Sequence, residues 1–291
     1  MVIMNATAVQ IMKLSFSNLK SKIFVVFLSC VMHIHAQEFV KLAMLSSPVF
    51  YSGTINGAGV FFADTGHIYF ITARHNLFSE KPPYKLIQRQ AMLSFYPNNI
   101  LSDTAEYIVV DLKDAFEKGC IQYDSLKDIA VIAIAAFRSN KAPSGKPQYY
   151  PFIIKKTVDY VPAWLSERSD LYKDVEVGGS VNTFGYPMTL GLKQTGQFSY
   201  EHPLLRKGDI SGKSEKLKTI VIYTPIYTGN TGGPVFEVKY TSQGEKIRLI
   251  GIVGGPVPLS NKLNNQNVNS DYSIVIPIDG AIELIKSVKQ L

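Results

Sequence analysis

The chain has 291 residues, a formal charge of +7, 46% hydrophobic and 18% charged residues, and two cysteines. This composition excludes a disordered segment, a collagen or coiled-coil rod and a disulfide-stapled mini-protein. The length fits one large domain or two small ones with a real core. Sixteen Phe, 16 Tyr and one Trp beside 21 Gly and 15 Pro lean toward strands joined by turns.

Residues 1–36 read as a cleaved secretory signal. Lys13, Lys20 and Lys22 precede a short apolar run, Ile23–Met32, and the small residue Ala36 stands at its exit. Met12 is the more usual start for such a leader. The apolar run falls short of the roughly 20 residues a spanning helix needs, so no stable membrane insertion is expected after cleavage. Lipoprotein anchoring at Cys30 is the weaker reading, because Phe27-Leu28-Ser29 fits that pattern poorly. The expected product is exported, periplasmic or secreted, and spans 37–291.

Losing the leader's three lysines from 30 basic residues leaves 27 against 23 acidic ones, a charge of +4. That balance argues weakly for nucleic acid, and no nucleic-acid partner is expected. The remaining Cys120, His67, His75 and His202 are too few for a Cys/His metal site, and no HExxH or DxDxDG pattern occurs. No metal or cofactor is expected, although carboxylate-only calcium binding stays open.

Along the mature chain, Val60-Phe61-Phe62, the turn residues Asp64-Thr65-Gly66 and Ile68–Ile71 form a hairpin signal. Further strands are expected at Tyr107–Leu112, Ile129–Ala135, Ser180–Phe184, Thr219–Tyr223, Val235–Tyr240, Ile247–Val253 and Ser273–Ile276. Phe137–Val175, rich in Pro, Tyr and Lys, reads as a connector. Arg206–Lys218, whose bases are broken by Asp209 and Glu215, reads as a solvated loop, and Asn261–Asn269 as a polar one. Asp279–Gln290 alone has helical periodicity, at Ala281, Ile282, Ile285 and Val288, with Asp279 as N-cap. Many short strands and a terminal helix make an all-β barrel or sandwich.

Three segments stand out chemically: Ile71-Thr72-Ala73-Arg74-His75, Lys127-Asp128-Ile129-Ala130-Val131, and Tyr227 to Val235, reading YTGNTGGPV. Their spacing is 53 residues from His75 to Asp128 and 103 from Asp128 to Thr231. Together they resemble the chymotrypsin/trypsin-like serine peptidases, especially the bacterial branch without disulfides, whose signatures are T-A-x-H, D-I-A and G-N-S-G-G-P in that order. Gly57-Ala58-Gly59, Val181–Pro187, Gly208–Gly212 and Ser273–Asp279 resemble further segments of that family. The resemblance covers roughly Ser52 to Ile285.

It implies two six-stranded antiparallel β-barrels with a C-terminal helix: an N-terminal barrel over about 45–137, a connector over about 138–175, and a C-terminal barrel and helix over about 176–291. It also implies endopeptidase activity on a polypeptide. Acyl transfer needs a hydroxyl activated by an imidazole, an acceptor that orients the imidazole, and N–H donors for the oxyanion. By resemblance His75 is the base, Asp128 its orienter, Thr231 stands in the nucleophile position, and the N–H groups of Gly229 and Thr231 form the oxyanion hole. His67 and His202 read as surface residues.

Thr231 departs from the family's serine. Its β-methyl narrows χ1 and crowds a site shaped for serine, so the resemblance implies either an impaired enzyme or a silent scaffold that binds peptides. A chance match on a β-rich adhesion domain is the third reading. Gly254 and Gly255 stand where relatives carry a serine and an aromatic, so a hydroxyl supporting Asp128 is missing. Pro225 is expected at the floor of the specificity pocket beside Ile226. Neither is charged, which points to an apolar or small side chain in that pocket. Oligomeric state is left open.

Overall fold

The computed structural model describes residues 41–291 except 54, 99–101, 103, 138–145, 187–201, 228, 243 and 260–267. The expected leader and most of the expected polar loop lie outside the described residues. Among those described, no helix is long and apolar enough to cross a membrane.

The N-terminal half begins with β1 (Val49–Ser52), β2 (Ile55–Ala58), β3 (Val60–Asp64), β4 (His67–Ala73), β5 (Gln90–Phe95) and β6 (Glu106–Asp111). A short helix α1 (Leu112–Glu117) leads to β7 (Ile121–Asp124) and β8 (Ile129–Ala136). The hairpin expected around Thr65-Gly66 forms as read: Asp64 pairs with His67, and both turn residues have positive φ, as a tight two-residue turn requires. β2 runs into β3 through Gly59, where a Cβ would lie 2.1 Å from the Phe70 ring. Only glycine lets the chain turn that corner against the core.

Three short strands follow: β9 (Gln148–Tyr149), β10 (Ile153–Lys156) and β11 (Trp164–Leu165). They complete two sheets, ordered β10-β6-β5-β1-β2 and β11-β3-β4-β8-β7, with β9 also on β8. The stretch read as a connector is thus built into the N-terminal sheets and then pinned to the C-terminal half. The Asp170 N–H donates to Leu249 O at 3.0 Å, and its carboxylate pairs with Arg248 and Lys239 at 2.7 Å each. Strands of two to four residues are too short to show alternation, which is why they escape a sequence reading.

The C-terminal half consists of β12 (Ser180–Gly185), β13 (Leu204–Ser214), β14 (Thr219–Tyr223), β15 (Pro234–Thr241), β16 (Gly244–Leu259) and β17 (Val268–Pro277), followed by helix α2 (Asp279–Ile285). These strands close a six-stranded antiparallel barrel, β12-β13-β14-β17-β16-β15. Its core includes Val181, Ile210, Ile222, Val235, Ile250 and Val275. The N-terminal half keeps two sheets around one core, because α1 rather than a ladder joins β6 to β7.

Two expectations are corrected. Arg206–Lys218 is no solvated loop: it forms β13 and the turn to β14, with its backbone bonded to β12 and β14. Mixed charges along a strand between two ladders hide its period. Asp279 is the first helical residue rather than the N-cap; its Oδ2 accepts instead from the Tyr172 N–H at 2.8 Å. α2 packs back on the N-terminal half, where Ala281, Ile285 and Val288 join a core shared with β8. The second covered face explains the unbroken apolar run of β8.

Candidate active site

The register of one strand pair brings His75 to Asp128. β4 and β8 pair as far as Ala73 opposite Ile129, so the residues just beyond that pair face one another. A single 3-10 turn, Arg74–Asn76, carries the histidine. Asp128 adopts φ +51°, a left-handed conformation that Asp tolerates better than most residues. Its Oδ1 accepts from the His75 N–H at 3.0 Å, and its Oδ2 lies 2.7 Å from His75 Nδ1. With the carboxylate accepting at Nδ1–H, Nε2 of the neutral ring is left as the basic nitrogen.

Arg74 is a residue that reading by motif passed over. It is only 8% exposed, and its Nη2 lies 3.6 Å from Asp128 Oδ1. Nη1 donates to Ser79 O at 3.0 Å, and the guanidinium stacks 4.3 Å from the centre of the Tyr84 ring. Gly254 offers Asp128 no hydroxyl, so a fixed cation supports the carboxylate here. The available signal was a charged residue directly before the histidine in an apolar strand end.

Residues 229–233 form the opposing turn. Gly229 and Gly232 have φ +96° and +87°. A Cβ on Gly232 would stand 2.3 Å from Ala58 O and 2.4 Å from Thr72 Oγ1, so the two halves meet there at backbone distance. The N–H groups of Asn230, Gly232 and Gly233 donate to Tyr227 O, Val253 O and Asn230 O at 3.0, 2.8 and 3.0 Å. Among the described residues, no internal acceptor takes the N–H of Gly229 or Thr231.

The Thr231 carbonyl is held twice, by the Ala58 N–H at 2.9 Å and by Asn76 Nδ2 at 3.1 Å. Asn76 also donates to Thr72 Oγ1 at 2.9 Å, and that hydroxyl donates to Ala58 O at 2.7 Å. Position 231 is thereby tied to the residue next to His75. Among the described residues, no hydrogen bond joins the Thr231 hydroxyl to His75.

The expected pocket residues divide. Gly254 and Gly255 line a groove of about 390 Å³ with Asp128, Leu126, Leu217 and Pro256. Ile226 does not line it: the residue is 2% exposed and packs in the barrel core. Pro225 is also absent from that groove, and its carbonyl accepts from Arg206 Nη1 at 2.7 Å. Loop spacing placed these two beside a pocket, but the closed barrel turns Ile226 inward. His67 and His202 make their contacts elsewhere, His67 with Thr65 O and His202 in a stack on Tyr96. Among the described residues, no cluster of three or more His, Cys, Asp or Glu side chains could hold a metal ion.

No protein-family model matches the sequence, and no curated protein does either. Solved structures do. The HtrA-type protease AlgW with tripeptide shares 16% identity over 85% of this chain and 61% of that one, at a TM-score of 0.51. A variant of AlgW with tripeptide gives the same identity and coverage at 0.50. The serine endoprotease from Yersinia pestis, also at 16%, gives 85%, 64% and 0.48. This chain spans less than two thirds of the length of each. A closed barrel, a paired-sheet half and an AlgW-like path together show that the chain has the chymotrypsin/trypsin-like serine peptidase fold.

Proposed function

We propose that the protein is an exported endopeptidase that cleaves peptide bonds through an acyl-enzyme. One observation carries the reading: two unspent N–H groups share a turn with a hydroxyl, and that turn is tied to the residue beside a carboxylate-held histidine. In this mechanism Thr231 Oγ1 attacks the scissile carbonyl while His75 Nε2 takes its proton. Asp128 holds the ring and balances the imidazolium, and the N–H groups of Gly229 and Thr231 receive the oxyanion. The tetrahedral intermediate collapses, the C–N bond breaks, and His75 returns its proton to the leaving amine. Water, deprotonated by the same nitrogen, then hydrolyses the ester. Export rests on the cationic, apolar leader ending near Ala36.

A second reading, a silent scaffold that binds peptides without cutting them, is favoured by Thr231 alone. Its extra methyl costs about 1–3 kcal/mol in a site packed for serine, and its hydroxyl has no bond to the base. Assays of the purified protein on casein and mixed fluorogenic peptides separate the two. Slow cleavage is expected, at least about tenfold faster in Thr231→Ser and absent in His75→Ala. Cleavage by Thr231→Ser alone would establish the silent scaffold. N-terminal sequencing of the exported protein is expected to begin at Gln37; an intact Met1 or Met12 would refute removal of the leader.

A further inference from the structure

Arg206 supplies a charge that the sequence reading of the specificity pocket did not contain. β13 pairs with β12 without interruption from Leu204 to Asp209, and Ile210 of the same strand sits in the barrel core. Side chains two apart share a face, so Gly208 and Arg206 follow Ile210 toward the barrel interior. A Cβ on Gly208 would lie 1.8 Å from Thr224 Oγ1, which sets this face directly against the loop that begins at Thr224. Two residues on, Arg206 reaches the same loop. Its Nη1 donates to Pro225 O at 2.7 Å, and its Cζ stands 4.4 Å from the centre of the Tyr227 ring.

This partly buried guanidinium has no counter-ion among the described residues, and its Nε is buried without a partner. Among the described residues, two buried polar atoms on or against the same face of β12 are also unpaired. Thr183, opposite Arg206 in register, is 1% exposed with Oγ1 unpartnered. Asn230 is 1% exposed with Oδ1 unpartnered, and it packs on Gly185, which shares a strand face with Thr183. A half-buried cation with donors to spare favours an anion, and the planar fork of arginine fits a carboxylate best. Tyr227 is 37% exposed, so solvent reaches the stack, and two residues of chain, at most about 7 Å, separate Tyr227 from Gly229.

We propose that Arg206 binds an acidic side chain on the residue of the bound peptide whose carbonyl is held at Gly229 and Thr231. This replaces the apolar or small side chain expected from Pro225 and Ile226, and it rests on the peptide carbonyl being received at Gly229 and Thr231 as proposed above. The full-length His75→Ala protein, which cannot turn over, is titrated with capped, C-terminally amidated hexapeptides that differ at one position: Glu, Gln, Leu or Lys. The Glu peptide is expected to bind at least about tenfold tighter than the Gln peptide. Arg206→Gln erases that preference, while Arg206→Lys keeps part of it.

Fluorogenic substrates with the same four residues before the reporter are given to Thr231→Ser and rank in the same order. Failure of cleavage with the Glu preference in binding intact refutes the peptidase and leaves the specificity standing. Equal binding of Glu and Gln peptides, tightest binding of the Leu or Lys peptide, no binding of any, or a Glu preference that survives Arg206→Gln overturns the assignment. Should Arg206→Gln fail to fold, the Glu/Gln ratio of the His75→Ala protein decides.

Discussion

The two halves of the molecule bring different kinds of interaction to the place where they meet. In the N-terminal half, side chains do the fastening: the Asp128 carboxylate holds both the ring and the backbone N–H of His75, and Arg74 stands behind the carboxylate. In the C-terminal half, backbone is fastened to backbone. The turn through Gly229–Gly233 is set by N–H and carbonyl bonds and by glycine at positive φ, while the Thr231 hydroxyl is left without a bond to the base. The proposed base and its orienter are joined in advance, whereas the proposed nucleophile, among the described residues, is fixed through its main chain. Among the described residues, the hydrogen bonds at position 231 go to its carbonyl, which a threonine offers as well as a serine.

The comparison can be broken from either side. The largest effect is expected from Asp128→Asn, which keeps the size of the side chain but cannot balance an imidazolium. The kcat of Thr231→Ser should fall on the order of 10⁴-fold with KM nearly unchanged. An equal fall in the melting temperature would show that Asp128 serves the fold instead. Gly232→Ala tests the backbone side. Its φ of +87° and the 2.3 Å approach to Ala58 O predict a loss of about 3 kcal/mol or more, read as a lower denaturant midpoint.

The smallest effect lies away from the cleft, at the N-cap of α1. There the Asp114 N–H and Arg89 hold the Asp111 carboxyl below its ordinary range, against the opposing cost of burial. A depressed carboxyl stabilises the fold above its ordinary pKa of 3.8, and that contribution disappears as pH falls through the lower folded value. Asp111→Asn keeps a capping oxygen but loses the charge, and should therefore cost about 0.3–1 kcal/mol at neutral pH. Thermal melts of the two proteins should converge as the pH drops below 3.8.

Much of this was legible in the chain. Thr219–Tyr223 is a strand over the bounds that its short apolar run marks, and the turn at Thr65-Gly66 forms where glycine allows positive φ. Helix α1 was missed because six residues carry less than two turns of periodicity. β13 hides in the sequence because its charges, Lys207 and Asp209 among them, are exposed while the backbone between them pairs with β12 and β14. Spacing along a loop does not say which way a side chain turns, and Ile226 packs in the barrel core.

By itself, the sequence determined the β class, the order of the three motifs and the glycines that a tight turn demands, since these depend on residues close together in the chain. Only the tertiary structure decided which distant residues meet: Arg74 behind Asp128, Asn76 on the carbonyl of Thr231, and Arg206 over Tyr227. Strand register and barrel closure set those meetings, and both are properties of pairings between segments that no local pattern contains.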